Sequence, residues 1–444
     1  MLFPALKRIR HHWFSPQLWL RRLVLWGGAI CVGSIAILFA LGAERANIYL
    51  HSMLAYSPYL PLVVTPAGLA LAVYVTQRVF PGSEGSGIPQ VIAALQIHDE
   101  KLRGAVLSLK IAVGKIVITL FALLCGAAIG REGPTVQIGA SIMHALGKFV
   151  HFSRHETEKG LILAGGAAGI AAAFNTPLAG IVFAIEEMSR SFEERTSGTI
   201  LTAVIIAGIT SLAVMGDYSY FGHTAAVLPL DTAWIAVLVC GACGGLAGGL
   251  FSRIIIASAR ELPWNISTFK RSRPVLFAAA CGLVLALLGL LSASTTYGTG
   301  YHEARRVLEG SGDVPAMYGA LKLLATAVSY ASGIPGGLFS PSLAVGAGFG
   351  VDISKIMPYA PAGAVVLLGM AGYFAGVVQA PITSFVIVIE MTDNHQLALP
   401  LMATTLLAAA TSRLICPWPV YKALSEGFLA RTKSREAPVK VEGS

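Results

Sequence analysis

Charge is scarce in this sequence. Only 12% of its 444 residues are Asp, Glu, Lys or Arg, 55% are hydrophobic, and the mean hydropathy is +0.70. A soluble domain carries about twice that share of charge, so the composition excludes one and describes a polytopic membrane protein. Cysteine is also sparse. Cys31, Cys125, Cys240, Cys243, Cys281 and Cys416 all lie within or at the edges of apolar blocks. Cys240 and Cys243 have metal-like spacing, but no second Cys or His pair accompanies them, so they read as small membrane-core residues. No His-Glu-x-x-His and no Gly-x-Ser-x-Gly element is present, and most of the ten histidines fall in loops or at helix ends. That speaks against a membrane-embedded metalloenzyme or protease, and the chain is expected not to be an enzyme and to need neither cofactor nor metal. The amino terminus lacks a small-residue cleavage site after a short apolar core, so no cleaved signal peptide is expected.

What the chain has in quantity is apolar sequence broken by glycine and proline. Apolar blocks fall at 24–43, 60–79, 104–129, 161–188, 199–215, 232–251, 274–293, 316–332, 338–350, 362–391 and 397–416. Several are short or interrupted, and others are long enough for two helices. With 48 Gly and 22 Pro, closely packed and broken helices are expected. The net charge of +9 sits at the ends and in loops, with Lys7, Arg8, Arg10, Arg21 and Arg22 before the first block and Arg431, Lys433, Arg435 and Lys440 after the last. The positive-inside rule then places both termini in the cytoplasm. Residues 1–22 read as a basic amphipathic leader, 23–425 as the membrane domain and 426–444 as a cytoplasmic tail. Beside a membrane block, a basic tail argues for the bilayer surface rather than for nucleic acid.

The chain repeats itself. At an offset of 207, Lys115 falls on Lys322, Thr119 on Thr326, Gly130 on Gly337, Pro134 on Pro341, Gly139 on Gly346 and Ala140 on Ala347. At an offset of 204, Leu163 falls on Leu367, Gly165 on Gly369, Pro177 on Pro381 and Glu186 on Glu390. Two halves, at about 60–215 and 230–425, thus share a Lys helix, a Gly-x-x-x-Pro element, a Gly-rich helix and a Pro-containing helix ending in Glu. Corresponding Gly/Pro-interrupted segments in two halves point to a transporter's binding site. Residues required by architecture recur, whereas residues required by chemistry at one asymmetric site need not. Glu132 faces Phe339 across the repeat and Glu187 faces Met391. Glu186 and Glu390 therefore read as structural, and Glu132 and Glu187 as the functional candidates.

The stretch Gly130-Arg131-Glu132-Gly133-Pro134 stands between two apolar runs. Charge at membrane depth is costly and marks function by default. Glycines on both sides of the pair and a proline suited to a first turn make this a helix start inside the membrane, whose bare N–H groups favour an anion. Glu132 would be a built-in anion there.

Together with Gly85-Ser86-Gly87-Ile88-Pro89 and Gly337-Leu338-Phe339-Ser340-Pro341, this stretch resembles the three signature segments of the CLC chloride channel and transporter family, in the family's order. Pro177 to Gly180, Glu186-Glu187-Met188, Glu390 to Asp393 and the late Tyr421 match as well, so the resemblance spans about 60–425. It implies an all-α membrane fold of two inverted-topology repeats with tilted and broken helices. It also implies a homodimer in the lipid bilayer, with a separate anion pathway in each subunit.

By the same resemblance, the hydroxyls of Ser86 and Tyr421 and the backbone N–H groups of Leu338 and Phe339 bind chloride. Glu132 is the external gate and proton acceptor, and Glu187 passes protons on the internal side. Each residue also has a plainer reading. Ser86 is a helix N-cap, Tyr421 an interfacial tyrosine after Trp418, Glu132 an ion-pair partner of Arg131 or Lys115, and Glu187 a helix-end carboxylate near Arg190 and Arg195. Ser86, where nitrate-handling members often carry Pro, favours chloride. Glu187 favours a voltage-independent chloride/proton antiporter of a bacterial inner membrane over a passive gated chloride channel of the same fold. With only residues 422–444 after Tyr421, no soluble nucleotide-binding module is expected behind the membrane domain.

Overall fold

The protein is described by a computed structural model covering residues 16–149, 155–189, 194–216, 219–260, 263–310 and 314–436. Residues 1–15 of the basic leader and 437–444 of the tail lie outside the described residues.

The first half contains α1 (Pro16–Tyr56), α2 (Pro61–Arg78), α3 (Ile88–Gln96), α4 (Glu100–Val106), α5 (Leu109–Leu124), α6 (Glu132–Gly147), α7 (His155–Phe174), α8 (Pro177–Phe183) and α9 (Glu194–Met215). The second contains α10 (Ile235–Arg260), α11 (Trp264–Ser272), α12 (Pro274–Leu291), α13 (Tyr301–Leu308), α14 (Tyr318–Ala331), α15 (Phe339–Ile356), α16 (Ala362–Val378), α17 (Pro381–Thr392), α18 (Ala398–Ile415) and α19 (Val420–Glu436). The first helix begins at Pro16, so it takes in the last residues of the segment read as a separate leader ending at 22. Among the described residues no β-strand forms. Six stretches among the described residues are long and apolar enough to cross a membrane, namely 19–56, 100–124, 198–215, 232–260, 274–291 and 398–415. Large apolar side chains such as Leu38, Val63, Ile209 and Leu291 stand exposed on the periphery, as a surface facing lipid requires.

The packing follows the repeat. α6 lies against α7 as α15 lies against α16, and α1 against α9 as α10 against α18, while α2 and α12 join the halves. The glycines that recur in the sequence sit at the two matching crossings. A Cβ on Gly139 would collide with the backbone of Gly165, and one on Gly346 with that of Gly369. Backbones approach this closely only where side chains are absent, which is how membrane helices gain packing contact without a hydrophobic drive between them.

The breaks in the helices have local causes. Asn175 and Gln379, equivalent in the repeat, both adopt the left-handed conformation with φ of 56°. They stop α7 and α16, and the prolines two residues on, Pro177 and Pro381, open α8 and α17 at positions that need no N–H donor. α8 ends in a π-helical turn, Ala184–Ser189, which carries Glu186 and Glu187.

Candidate functional site

Three helices start at one point in the interior. α3 starts after Gly87, α6 after Arg131 and α15 after Leu338. Short backbone links hold the starts together. Gly130 and Gly337 exchange both N–H···O bonds, each 2.7 Å, and Gly85 bonds Ile334 and Gly336 at 3.2 and 3.1 Å. The contact needs glycine. A Cβ on Gly133 would collide with Ser86 Oγ, and Gly87, at φ 104°, would place one 2.7 Å from Gly133 O. Gly85 and Gly87 both have positive φ, which turns the chain sharply into α3. Arg131 and Leu338 have near-identical backbone angles, with φ −98° at both, and neither helix start carries a side-chain cap. The first N–H groups of α6 and α15 are thus free of side-chain acceptors, and the dipoles of both helices point positive ends at the junction.

Ser86 stands at this junction, almost fully buried. The N-cap of α3 is Gly87, so the structure removes the plain N-cap reading of Ser86. Its hydroxyl makes no protein hydrogen bond of normal geometry. It faces Tyr421, in the first turn of α19, whose hydroxyl is likewise buried without a bond of normal geometry. α19 packs along α3, which brings the late tyrosine to the first signature segment. With 0% exposure, Tyr421 does not stand on the membrane interface as a belt tyrosine would. The side chains acting electrostatically on its hydroxyl are Glu187, Tyr330, Glu132 and Ser86. Two hydroxyls and two uncapped helix starts are neutral donors, able to replace the water of an anion without the full positive charge that would trap it.

Glu132 is fully buried at the head of α6. Its Oε1 accepts a hydrogen bond from Ser340 Oγ at 2.6 Å and lies 3.9 Å from Arg131 Nε. The Lys115 pairing does not form. Lys115 Nζ instead donates to the carbonyls of Glu84 and Gly85 at 3.3 and 2.8 Å, and Lys322, its repeat equivalent, donates to those of Thr296, Tyr297 and Gly298. Both lysines tie down the loop that precedes a broken helix. The Arg131 guanidinium lies 6.0 Å from the Tyr220 ring centre. A cavity of about 150 Å³, lined by Glu44, Asn47, Arg131, Tyr220, Thr299 and His302 among others, reaches Arg131. Phe339, where the repeat would put a second carboxylate, is packed among Phe174, Phe183 and Phe374 at centroid distances of 5.0, 6.3 and 4.3 Å.

The two adjacent glutamates behave differently. Glu186 Oε1 and Oε2 accept from the N–H groups of Ile382 and Thr383 at 3.1 and 2.6 Å, capping α17. Glu390 does the same for Leu178 and Ala179 of α8, at 3.1 and 2.6 Å. Each half therefore caps the other's proline-led helix, and the pair is structural. Glu187 takes no part in this exchange. It is 2% exposed and its π-helical turn faces α3, on the side where Tyr421 lies. Arg190, a candidate neighbour in the helix-end reading, lies outside the described residues.

Of the residues singled out in the sequence, Ser86, Glu132, Leu338 and Phe339 lie at the helix-start junction, Tyr421 faces Ser86, and Glu187 stands on the π-helical turn facing α3. Sequence reasoning did not single out Ser340 beyond its motif, and it missed Tyr220, which has no counterpart in the other half.

An all-helical protein of two interlocked repeats, with helix starts meeting inside an apolar body around neutral donors and buried carboxylates, is an ion-handling membrane protein. Residues 68–413 match the family model described as voltage gated chloride channel, and the chain belongs to that family. Among solved structures it is similar to a slow cyanobacterial Cl−/H+ antiporter, at 26% identity and TM-score 0.76, with 92% of this chain and 99% of that one covered. A CLC-type fluoride/proton antiporter also aligns at TM-score 0.76, with 23% identity and coverage of 90% and 96%. A eukaryotic CLC transporter aligns at 0.73, with 21% identity and coverage of 92% and 74%. Tyr421 falls beyond the family match, so its inclusion in the site rests on its burial against Ser86.

Proposed function

We propose that the protein exchanges chloride against protons, each subunit carrying its own pathway through the junction of α3, α6, α15 and α19. The observation that carries the reading is the placement of two buried carboxylates, Glu132 and Glu187, within electrostatic reach of one hydroxyl, that of Tyr421. The structural likeness to a Cl−/H+ antiporter supports it.

Chloride is held by the hydroxyls of Ser86 and Tyr421 and by the N–H groups of Leu338 and Phe339. An ionised Glu132 competes for the same positive helix ends and closes the path. Protonated, it loses that attraction and leaves the path open. Glu187 supplies and removes protons from the other face, so the proton and the anion share only the central part of the route. The work is transport rather than catalysis of a covalent change. Ser86 at the central position favours chloride over other small anions. Coupling to protons through side chains needs no voltage-sensing element. The apolar faces of α9 (Leu201, Ile205, Ile209) and α18 (Leu399, Met402, Leu406) are of the kind that a second copy of the chain or lipid covers, in keeping with a homodimer in a bacterial inner membrane with cytoplasmic termini.

The test uses purified protein in chloride-loaded vesicles diluted into low chloride, with chloride efflux and external pH recorded together, with and without a proton ionophore. Proton uptake driven by the outward chloride gradient is expected. Chloride efflux without linked proton movement would make the protein a passive channel and return Glu187 to a structural role.

A further inference from the structure

Polar groups in the first turns of α6 and α15 divide by symmetry. Thr135 and Ser342 are equivalent in the repeat, and both hydroxyls bond back within their own helix, to Arg131 O at 2.8 Å and Leu338 O at 2.6 Å. Ser340 is different. Its repeat equivalent is Gly133, and its hydroxyl donates across the halves to Glu132 Oε1. Ser340 and Glu132 each lack a polar counterpart in the other half, and they bond to each other. At 2.6 Å, with both groups buried, this is a close hydrogen bond from the Ser340 hydroxyl to the Glu132 carboxyl. The other ionisable groups facing Glu132 are Arg131 at 3.9 Å, Tyr220 and Tyr421, with Glu44 and His302 beyond Arg131. The Tyr220 hydroxyl lies beside both Ser340 and Arg131, and its ring packs on Phe174 and Tyr301.

We propose that Ser340 is a positioning residue for the gate, a latch whose hydroxyl favours the ionised, path-closing state of Glu132. This deepens the reading of Glu132 as gate and rests on it. A donor to the charged form favours that form. The latch therefore sets how acidic the medium must be before the gate opens, and it does so without touching the anion.

The experiment records chloride flux against external pH for the wild-type protein, Ser340→Ala, Ser340→Thr, Glu132→Gln and the Ser340→Ala/Glu132→Gln pair, all reconstituted at measured protein content. Ser340→Ala is expected to move the acid activation of flux by about one pH unit toward higher pH. Ser340→Thr, which keeps the hydroxyl, stays near the wild-type midpoint. In the Glu132→Gln background, where no carboxylate remains to latch, Ser340→Ala is expected to shift nothing. A Ser340→Ala profile superimposing on wild type, or a shift that survives in the Gln background, would overturn the latch while leaving the gate intact. If instead Glu132→Gln alone keeps full acid activation, the gate reading itself has failed and the latch falls with it.

Discussion

The two halves of this molecule are built alike and used differently. Where they agree, side chains hold the backbone. Lys115 and Lys322 gather loop carbonyls, Thr135 and Ser342 bond back in their own helices, and Glu186 and Glu390 cap each other's helices. Where they disagree, the side chains face the junction. Glu132 stands against Phe339, Ser340 against Gly133, and Glu187 against Met391. A buried charge without a symmetric partner gains nothing for a fold whose other half does without it. Its burial is therefore a debit in stability that function has to explain.

The largest effects are expected where this asymmetry is removed. Glu132→Gln should abolish proton coupling, with chloride passing at a rate indifferent to pH. Glu187→Gln should keep chloride flux within several-fold of wild type and lose proton movement by at least about a hundredfold, the scale of losing a positioned proton-transfer group. Simultaneous chloride and pH recording in vesicles separates the two outcomes. Intact proton pumping by Glu187→Gln would remove the functional distinction between it and Glu186.

The symmetric residues should fail in the opposite way. Glu186→Gln and Glu390→Gln each weaken two hydrogen bonds from helix-start N–H groups to a charged acceptor. Loss of such contacts costs about 1–3 kcal/mol. The two variants should lose similar stability in detergent, read as the midpoint of thermal unfolding, and the folded fraction should retain the wild-type ratio of chloride to proton. A changed ratio in either one would show that the cap also serves the ion path.

Much of this division was open to reading from the chain. The repeat is carried by glycine, proline, lysine and glutamate, whose structural uses are narrow, so the match of Gly139 to Gly346 and of Gly165 to Gly369 follows from the self-alignment, while the crossings of Gly139 on Gly165 and Gly346 on Gly369 do not. The helix breaks were placed by Pro177 and Pro381. Their mechanism was not, because Asn175 and Gln379 are ordinary residues in the left-handed conformation, and nothing in their identity announces it. The lysine contacts were not legible beyond a candidate ion pair of Lys115 with Glu132, since carbonyl acceptors belong to the backbone and leave no mark in sequence. Ser340 was visible only as a motif member. Its partner is 208 positions away, and one sequence holds no record of such a contact. Tyr220 lies in a connection between the halves where no pattern repeats.

The smallest effect is expected at a residue inside the site. Leu338 precedes the first turn of α15, and its side chain is buried at 1% exposure while its N–H is among the groups assigned to the anion. Substituting the side chain leaves the backbone donor in place. Leu338→Met conserves volume, and such swaps usually cost under about 1.5 kcal/mol. Chloride flux and the proton ratio should stay within about twofold of wild type, whereas Ser86→Ala, which deletes a donor outright, should weaken chloride binding measured by calorimetry by about tenfold or more. Equal losses at both positions would mean that side-chain packing rather than backbone donors shapes the α15 side of the path. The contrast between the halves would then lie in packing as much as in charge.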